Sequence, residues 1–154
     1  MRAVVQRVKG AKVEVDGRTV GKIGQGILIF LGIGEGDSEK ESDQLAGKIA
    51  HLRIFSDEKD LMNLSLTEIR GEALVVSQFT LYADCRRGRR PSFSKAARPE
   101  VAEPLVEHFV QSLRLAGVPT ESGTFGAMML VEIHNDGPVT IVLGTEDLRR
   151  PRRS

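Results

Sequence analysis

Residues 26–31, Gly-Ile-Leu-Ile-Phe-Leu, form an uninterrupted apolar run that ends at the glycines and acidic residues of 32–37. A short apolar run closed by turn residues is typical of a strand buried inside a sheet, so we predict a central strand here. Upstream, residues 11–15 alternate apolar and polar side chains, Asp16-Gly17 is a turn signal, and residues 19–23 can return as a partner strand. A β-hairpin is therefore predicted before the central strand.

Two helices are predicted downstream. Ser38 opens the first, because Glu41 follows three residues later and completes a capping box. Pro99 begins the second, in which the apolar side chains of residues 101–113 share one helical face. Gly117 and the proline after it end this helix.

Three further stretches are predicted to be strands, namely residues 73–81, 128–134 and 139–143. The last two flank Asn135-Asp136-Gly137-Pro138, which contains a hairpin-turn dipeptide. Short strands with two helices predict the α+β class. No internal repeat or linker divides the sequence, so we predict one domain over residues 1–154, with residues 149–154 as a flexible basic tail.

The composition predicts a soluble cytoplasmic protein. Of 154 residues, 40% are hydrophobic and 28% charged, a globular profile. No apolar stretch approaches the roughly 20 residues that span a bilayer, and the first residues lack signal-peptide features. Cys85 is the single cysteine, so neither an internal disulfide nor a structural zinc site is predicted.

Basic side chains are concentrated in two places although the net charge is only +1. The first is residues 84–98, where six basic side chains accompany Asp84 alone. The second ends the chain and comprises Arg149, Arg150, Arg152 and Arg153. Arginine pairs well with phosphate, so these clusters could contact RNA. They could equally be a solvated loop and a solvated tail, and the charge pattern does not favour either interpretation.

Familiar cofactor and catalytic patterns are not supported. The glycines of residues 32–36 lack the third glycine of a dinucleotide loop, since Asp37 stands in its place. The three histidines, His51, His108 and His134, are far apart in sequence, so neither a metal site nor a Ser-His-Asp triad is predicted. We expect no cofactor and no metal.

Two segments remain open from the residues alone. Ser77-Gln78-Phe79-Thr80 turns polar at the end of an apolar strand, which fits either a pocket wall or an ordinary strand end, and the ordinary strand end is favoured. In Asn135-Asp136-Gly137-Pro138, a cis Gly-Pro bond would go against the base rate of about 5–6% for X-Pro bonds.

From Met1 to about Thr145 the sequence resembles the D-aminoacyl-tRNA deacylase family, formerly called D-tyrosyl-tRNA deacylase. Four motifs in the family's order carry the resemblance: Ser77-Gln78-Phe79-Thr80-Leu81, Gly88-Arg89-Arg90-Pro91-Ser92-Phe93, Phe125-Gly126-Ala127-Met128-Met129 and Asn135-Asp136-Gly137-Pro138-Val139-Thr140. One departure is Gly144-Thr145, where many relatives have an Asp before a small hydroxyl residue.

The resemblance implies a mixed, largely antiparallel sheet curled like a half-barrel sandwich, with two main helices on one side. It further implies a homodimer with the active site at the subunit interface. The Gly137-Pro138 bond would be cis and would reach into the partner's pocket, held in place by Arg7. L-amino acids would clash with this element, whereas D-amino acids and glycine would fit.

The implied reaction is hydrolysis of the ester between a D-amino acid and tRNA, and of glycine mischarged on tRNA-Ala. Backbone amides near Phe79 and Thr80 would stabilise the oxyanion, and Ser77 and Gln78 would position the ribose and ester. The 2′-hydroxyl of the terminal adenosine would help to activate water. Two side chains, Phe125 and Met129, would pack on the adenine, although core packing stays open for both.

Two alternatives are kept. The sister family that edits mischarged L-alanyl-tRNA has an arginine where this chain has Met129, which favours the D-specific enzyme. A non-catalytic RNA-binding module would rest only on the two arginine clusters, one of them the basic loop with Arg86, Arg87, Arg89 and Arg90, and on the lack of a triad.

Overall fold

One long strand organises the sheet in the computed structural model, which describes residues 1–153. This strand, β1 (Arg2–Val15), pairs antiparallel through its second half with β2 (Arg18–Ile23) and through its first half with β3 (Gly26–Gly32). A strand from the end of the chain, numbered β8 (Leu130–Gly144) in chain order, runs antiparallel along the other edge of β1. Both edges of β1 are thus occupied over most of its length.

The remaining strands and the helices complete the α+β fold. β6 (Glu72–Ser77) pairs in parallel with β3, and β7 (Thr120–Ser122) pairs in parallel with β6. The other elements are β4 (Phe55–Ser56), β5 (Met62–Leu64), α1 (Glu39–Ala50), a 3-10 helix (Phe79–Tyr82), α2 (Pro99–Leu115) and α3 (Thr145–Leu148).

The sheet curls until its two ends approach each other. A β-carbon added to Gly21 on β2 would lie only 2.9 Å from the carbonyl oxygen of Ser122 on β7, at the opposite end of the strand order. Glycine is needed there because the backbones come too close for a side chain. This curl confirms the expected half-barrel of mixed, largely antiparallel strands.

The central strand is buried on both faces. Ile27, Ile29 and Leu31 of β3 pack in the core beneath α1 and α2, whereas Leu28 packs in a second cluster with Val13 of β1. Both faces of β6 are likewise buried, as expected for parallel strands covered on two sides. The apolar run therefore lies between two apolar clusters.

Several local predictions are confirmed. Asp16 and Gly17 form the hairpin turn with φ of 50° and 75°. The helix after Ser38 has the predicted capping box, in which the Ser38 amide donates to the Glu41 carboxylate at 2.8 Å. Pro99 opens α2, and Gly117 follows its end with φ of 89°.

Other local predictions were wrong. The strand predicted over residues 73–81 ends at Ser77, and Phe79–Tyr82 instead forms the 3-10 helix. The strands predicted at 128–134 and 139–143 are parts of β8, not the arms of a hairpin, because both pair with β1.

The pairing of β8 with β1 is interrupted by a bulge. The register slips between the pairs Gln6–Thr140 and Val8–Asn135, so residues 136–139 bulge opposite Arg7. The Gly137-Pro138 peptide bond in this bulge is cis, which confirms what the family resemblance implied and not the base-rate expectation.

Arg149, the first residue of the C-terminal segment 149–154, is anchored to α1. The Arg149 guanidinium contacts the Glu41 carboxylate on α1. The flexibility of residues 149–154 stays a prediction, and Ser154 lies outside the described residues. Within residues 1–153 the structure contains no helix that is both long and apolar enough to cross a membrane.

The Glu41 capping contact predicts a pH-dependent stability. Hydrogen bonds from Ser38 lower the pKa of Glu41 from 4.5 to about 2. A depressed pKa means that the stabilisation is present above pH 4.5 and is lost as the pH falls through about 2. Glu41→Gln keeps an acceptor but removes the charge, so at pH 7 its Tm should lie about 2–4 °C below that of the parent chain, the shift that about 1 kcal/mol causes.

The measurement is thermal unfolding of both proteins from pH 7 to pH 2. The difference in Tm should shrink below pH 4.5, whereas a constant difference would exclude the Glu41 charge as its cause. Glu121→Gln removes an exposed carboxylate on β7 and should leave Tm unchanged at pH 7.

Candidate active site

A cleft of about 580 Å³ opens where β3 and β6 end side by side. In their parallel register Leu31 pairs with Ser77, so the two carboxyl ends meet at the same edge of the sheet. Leu31 and Val76 contribute apolar lining, and Ser77, Gln78, Phe79 and Thr80 line it as well. The segment predicted from sequence thus lines a cleft and does not merely end a strand.

The polar part of the lining is held by its own hydrogen bonds. The Gln78 amide donates to the Leu31 carbonyl at 2.8 Å, which ties the residue after β6 to the end of β3. The side-chain amide of Gln78 donates to the Thr80 hydroxyl. Phe79 is 58% exposed and meets Phe93 edge to face, with ring centroids 5.1 Å apart.

The amides of Phe79 and Thr80 lie at the start of the 3-10 helix. The first N–H groups of any helix have no carbonyl partner within that helix. Both amides belong to residues that line the cleft.

The opposite wall comes from the segment before β8. Phe125, Met128 and Met129 line the cleft, and Gly126 makes the turn between them with φ of 74°. Met129 packs so closely on Gly123 that an added β-carbon would lie 2.6 Å from its sulfur. The structure therefore brings Phe125 and Met129 to the same cleft as Ser77 and Thr80.

Ionisable side chains are missing from this cleft. Among residues 1–153, its lining contains no Asp, Glu, His, Lys, Arg or Cys. The nearest phenol in sequence, Tyr82, is buried, and burial raises its pKa to about 12. The polar groups that this lining offers are main-chain amides and carbonyls, the hydroxyls of Ser77 and Thr80 and the side-chain amide of Gln78.

The histidines are engaged in structural contacts. His108 on α2 pairs with Asp43 of α1 at 2.7 Å, and hydrogen bonds from Ser112 and His108 hold the pKa of Asp43 below its usual value. His51 follows α1 and contacts the Gly47 carbonyl, while His134 pairs with Glu132 on the surface. Across the described chain, no group of three His, Cys, Asp or Glu residues could hold a metal.

Arg7, Gly137 and Pro138 do not line this cleft. The Arg7 guanidinium donates to the carbonyls of Asp136 at 3.1 Å and Ile54 at 2.7 Å, and its side chain is 12% exposed. It thereby fastens the bulge of β8 to the loop before β4. Gly137 and Pro138 themselves are exposed.

The basic loop adjoins the cleft through Phe93. Asp84 and Ser92 close the loop with two backbone hydrogen bonds of 2.7 and 2.9 Å. Arg86 pairs with Asp84, whose pKa the guanidinium holds well below its usual range. Three other side chains, Arg87, Arg89 and Arg90, are exposed, and Cys85 is an exposed free thiol beside them.

Known proteins match this chain along its whole length. A sequence model of the D-Tyr-tRNA(Tyr) deacylase family matches residues 4–144. The D-aminoacyl-tRNA deacylase of Roseiflexus castenholzii is 60% identical over 152 residues, covering 99% of this chain and 97% of its own. The chain belongs to the D-Tyr-tRNA(Tyr) deacylase family. It is accordingly a hydrolase that acts on ester bonds.

Two further relatives agree with this membership. The D-aminoacyl-tRNA deacylase of Roseiflexus sp. strain RS-1 is 63% identical, covering 99% of this chain and 98% of its own. A solved structure of the c-Myc DNA Unwinding Element Binding Protein has a TM-score of 0.89 at 42% identity, covering 94% of this deacylase and 99% of its own chain. The fold described above is therefore shared with a solved structure along nearly its whole length.

Part of the cleft of the deacylase was missed by sequence reasoning. Ala96, Ala97 and Pro99 lead into α2, and Ala102 and Val106 follow on that helix. The prediction assigned α2 to the core by its apolar period. The small side chains near its start were the available signal, because they leave room beside the helix.

Proposed function

We propose that this enzyme hydrolyses D-aminoacyl-tRNA to tRNA and a D-amino acid, and acts in addition on glycine mischarged on tRNA-Ala. The observation that carries this proposal is a cleft with main-chain donors at Phe79 and Thr80 and no ionisable side chain. An ester needs oxyanion stabilisation more than a strong nucleophile, and preorganised amides are usually the largest catalytic contribution.

The substrate itself would supply the missing polar group. The 2′-hydroxyl beside the ester helps to activate water, since the cleft offers no carboxylate or imidazole for that task. Ser77 and Gln78 position the ribose and the ester carbonyl. The Gln78 contact to Thr80 keeps that hydroxyl engaged, which supports a positioning role for Thr80 and not a nucleophilic one.

The adenine of the terminal nucleotide would pack on Phe125 and Met129. Aromatic and thioether groups give a nucleobase an apolar contact without a charged partner. Gly123 leaves the space in which the Met129 sulfur lies, so the Met129 side chain is held at the cleft wall.

Chiral selection would come from Gly137 and Pro138 of the partner subunit in a homodimer. Within one chain these residues are exposed, held by Arg7 and outside the cleft, so they are free to enter a second copy. Exposed apolar side chains on β8 and at the cleft mouth support such an interface: Phe79, Met128, Leu130 and Val142. Main-chain atoms of the inserted element would block an L side chain and leave a D side chain free.

The proposed substrate implies where the protein acts and which residues contact RNA. Residues 1–154 would act as one functional domain, in the cytoplasm where aminoacyl-tRNA is used. Arg87, Arg89 and Arg90 would contact tRNA phosphates beside the cleft. Arg86 would contribute as well, although its guanidinium also pairs with Asp84.

The test is hydrolysis of four charged tRNAs: D-tyrosyl, L-tyrosyl, L-alanyl and glycyl-tRNA-Ala. D-tyrosyl-tRNA should be cleaved on the order of 100-fold faster than L-tyrosyl-tRNA, and glycyl-tRNA-Ala should be cleaved as well. Preferential cleavage of L-alanyl-tRNA would assign the chain to the sister activity. Binding of tRNA with no cleavage above buffer would indicate an RNA-binding module.

Sedimentation of the same preparation tests the shared site. The proposal expects a dimer at assay concentration, and a fully active monomer would contradict the role of Gly137 and Pro138 across the interface.

Thr80→Ala should retain substantial activity. If main-chain amides stabilise the oxyanion, kcat should fall by no more than about fivefold, whereas loss of a true nucleophile costs about 10⁴-fold or more. Single-turnover hydrolysis of D-tyrosyl-tRNA measures the effect, with Thr19→Ala on β2 as the matched control. A complete loss in a folded dimer would establish a hydroxyl nucleophile instead.

Replacing Arg87, Arg89 and Arg90 together by Gln should weaken tRNA binding and flatten its salt dependence. Each phosphate contact contributes about 0.7–0.9 to the slope of log K against log salt, so the slope should fall by about two. The control replaces three exposed basic residues of β1 and β2, Lys9, Arg18 and Lys22. An unchanged slope in the loop variant would mean that the loop contacts only solvent.

A further inference from the structure

Arg2, at the start of β1, contacts the 3-10 helix that contributes Phe79 and Thr80 to the cleft. Its guanidinium donates to the Leu81 carbonyl at 3.0 Å. The carbon at the centre of the same guanidinium lies 4.4 Å from the ring centroid of Tyr82, within the range of a cation–π contact. One side chain thus makes two contacts to this helix from a strand 79 residues away in sequence.

The 3-10 helix is short, with only four residues. At its ends the Leu81 N–H donates to the Gln78 carbonyl at 3.3 Å and the Ala83 N–H donates to the Thr80 carbonyl at 3.0 Å. The last carbonyls of a helix lack partners within it and carry partial negative charge. The Arg2 cation supplies a donor to one of these carbonyls, at the end opposite Phe79 and Thr80.

The Tyr82 ring also packs closely on the end of β3 and on the turn that follows it. A β-carbon on Gly34 would lie 2.6 Å from Tyr82 Cζ, and one on Gly32 would lie 3.0 Å from the Gln78 carbonyl oxygen. Tyr82 is 7% exposed. The ring is therefore in contact with both the Gly34 backbone and the Arg2 guanidinium, and loss of the Arg2 side chain would remove one of these two restraints on the helix.

We propose that Arg2 is a positioning residue for ester hydrolysis, which holds the backbone of Phe79–Tyr82 in the arrangement that the oxyanion requires. The proposal rests on the proposed function, in which the Phe79 and Thr80 amides stabilise the oxyanion. A displacement of about 1 Å at a reacting centre can cost 100-fold in rate, so a contact outside the cleft can control kcat without touching the substrate.

The experiment compares Arg2→Ala, Arg2→Lys and the exposed control Arg18→Ala. Steady-state hydrolysis of D-tyrosyl-tRNA should give about a tenfold lower kcat for Arg2→Ala with KM changed less than about twofold. Arg2→Lys keeps a cation and a donor. On a logarithmic scale, its kcat should therefore lie at least halfway from that of Arg2→Ala to that of the parent enzyme. Arg18→Ala should match the parent enzyme.

Amide hydrogen exchange gives a readout that does not depend on activity. In Arg2→Ala the amides of Leu81 and Ala83 should exchange at least about tenfold faster, while those of Leu74, Val75 and Val76 on β6 keep their rates. An unchanged kcat would overturn the proposal. A fall in kcat accompanied by faster exchange throughout β6 would overturn it as well, because Arg2 would then support the whole fold.

Failure of the proposed function is distinguishable from failure of this inference. If the parent chain does not cleave D-tyrosyl-tRNA, the proposed function is overturned, and the exchange of Leu81 and Ala83 still decides whether Arg2 holds the helix. If the parent chain is active and exchange at these amides is unchanged in Arg2→Ala, only the role of Arg2 is overturned.

Discussion

The cleft depends on how the parallel pairing of β3 and β6 ends. The ladder runs as far as Leu31 and Ser77, and the Gln78 amide adds one more hydrogen bond to Leu31 at 2.8 Å. Beyond that bond the chain turns into the 3-10 helix, so the amides of Phe79 and Thr80 leave the sheet without partners from the ladder. Gly32 permits this close approach, because a side chain there would meet the Gln78 carbonyl.

The site proposed above is built from main-chain groups, and such a site would depend on the fold more than on the chemistry of individual side chains. Amides cannot be tuned by protonation, so their value lies in where they are held. This explains why the structure surrounds a four-residue helix with fixed partners: Leu31 before it, the Gly34 backbone beside it and Arg2 at its end. The same proposal would account for the lack of a catalytic-residue pattern in the sequence.

The features that were predictable from sequence are those set by local interactions. The Asp16-Gly17 turn, the capping box of Ser38 and Glu41 and the apolar run of β3 each depend on neighbours in the chain. From the sequence, two separate strands were predicted in place of β8, because the continuity of β8 depends on its pairing with β1, which lies more than a hundred residues earlier. The short β7 and the apolar part of the cleft on α2 were missed for the same reason. Only the family resemblance pointed to Ser77, Phe125 and Met129 as one site.

The bulge of β8 shows how one strand can serve two purposes. Outside residues 136–139, β8 pairs with β1 along most of its length and holds the sheet together. Opposite Arg7 the pairing lapses, and the guanidinium takes over as the donor to the Asp136 carbonyl. Backbone polar groups that lose their sheet partners destabilise the fold unless they find other partners. Arg7 provides such a partner for the Asp136 carbonyl, while Gly137 and Pro138 stay exposed. In the proposed dimer, the discriminating element would be as rigidly held as the amides it faces, since both are fastened to β1, one by Arg7 and the other by Arg2.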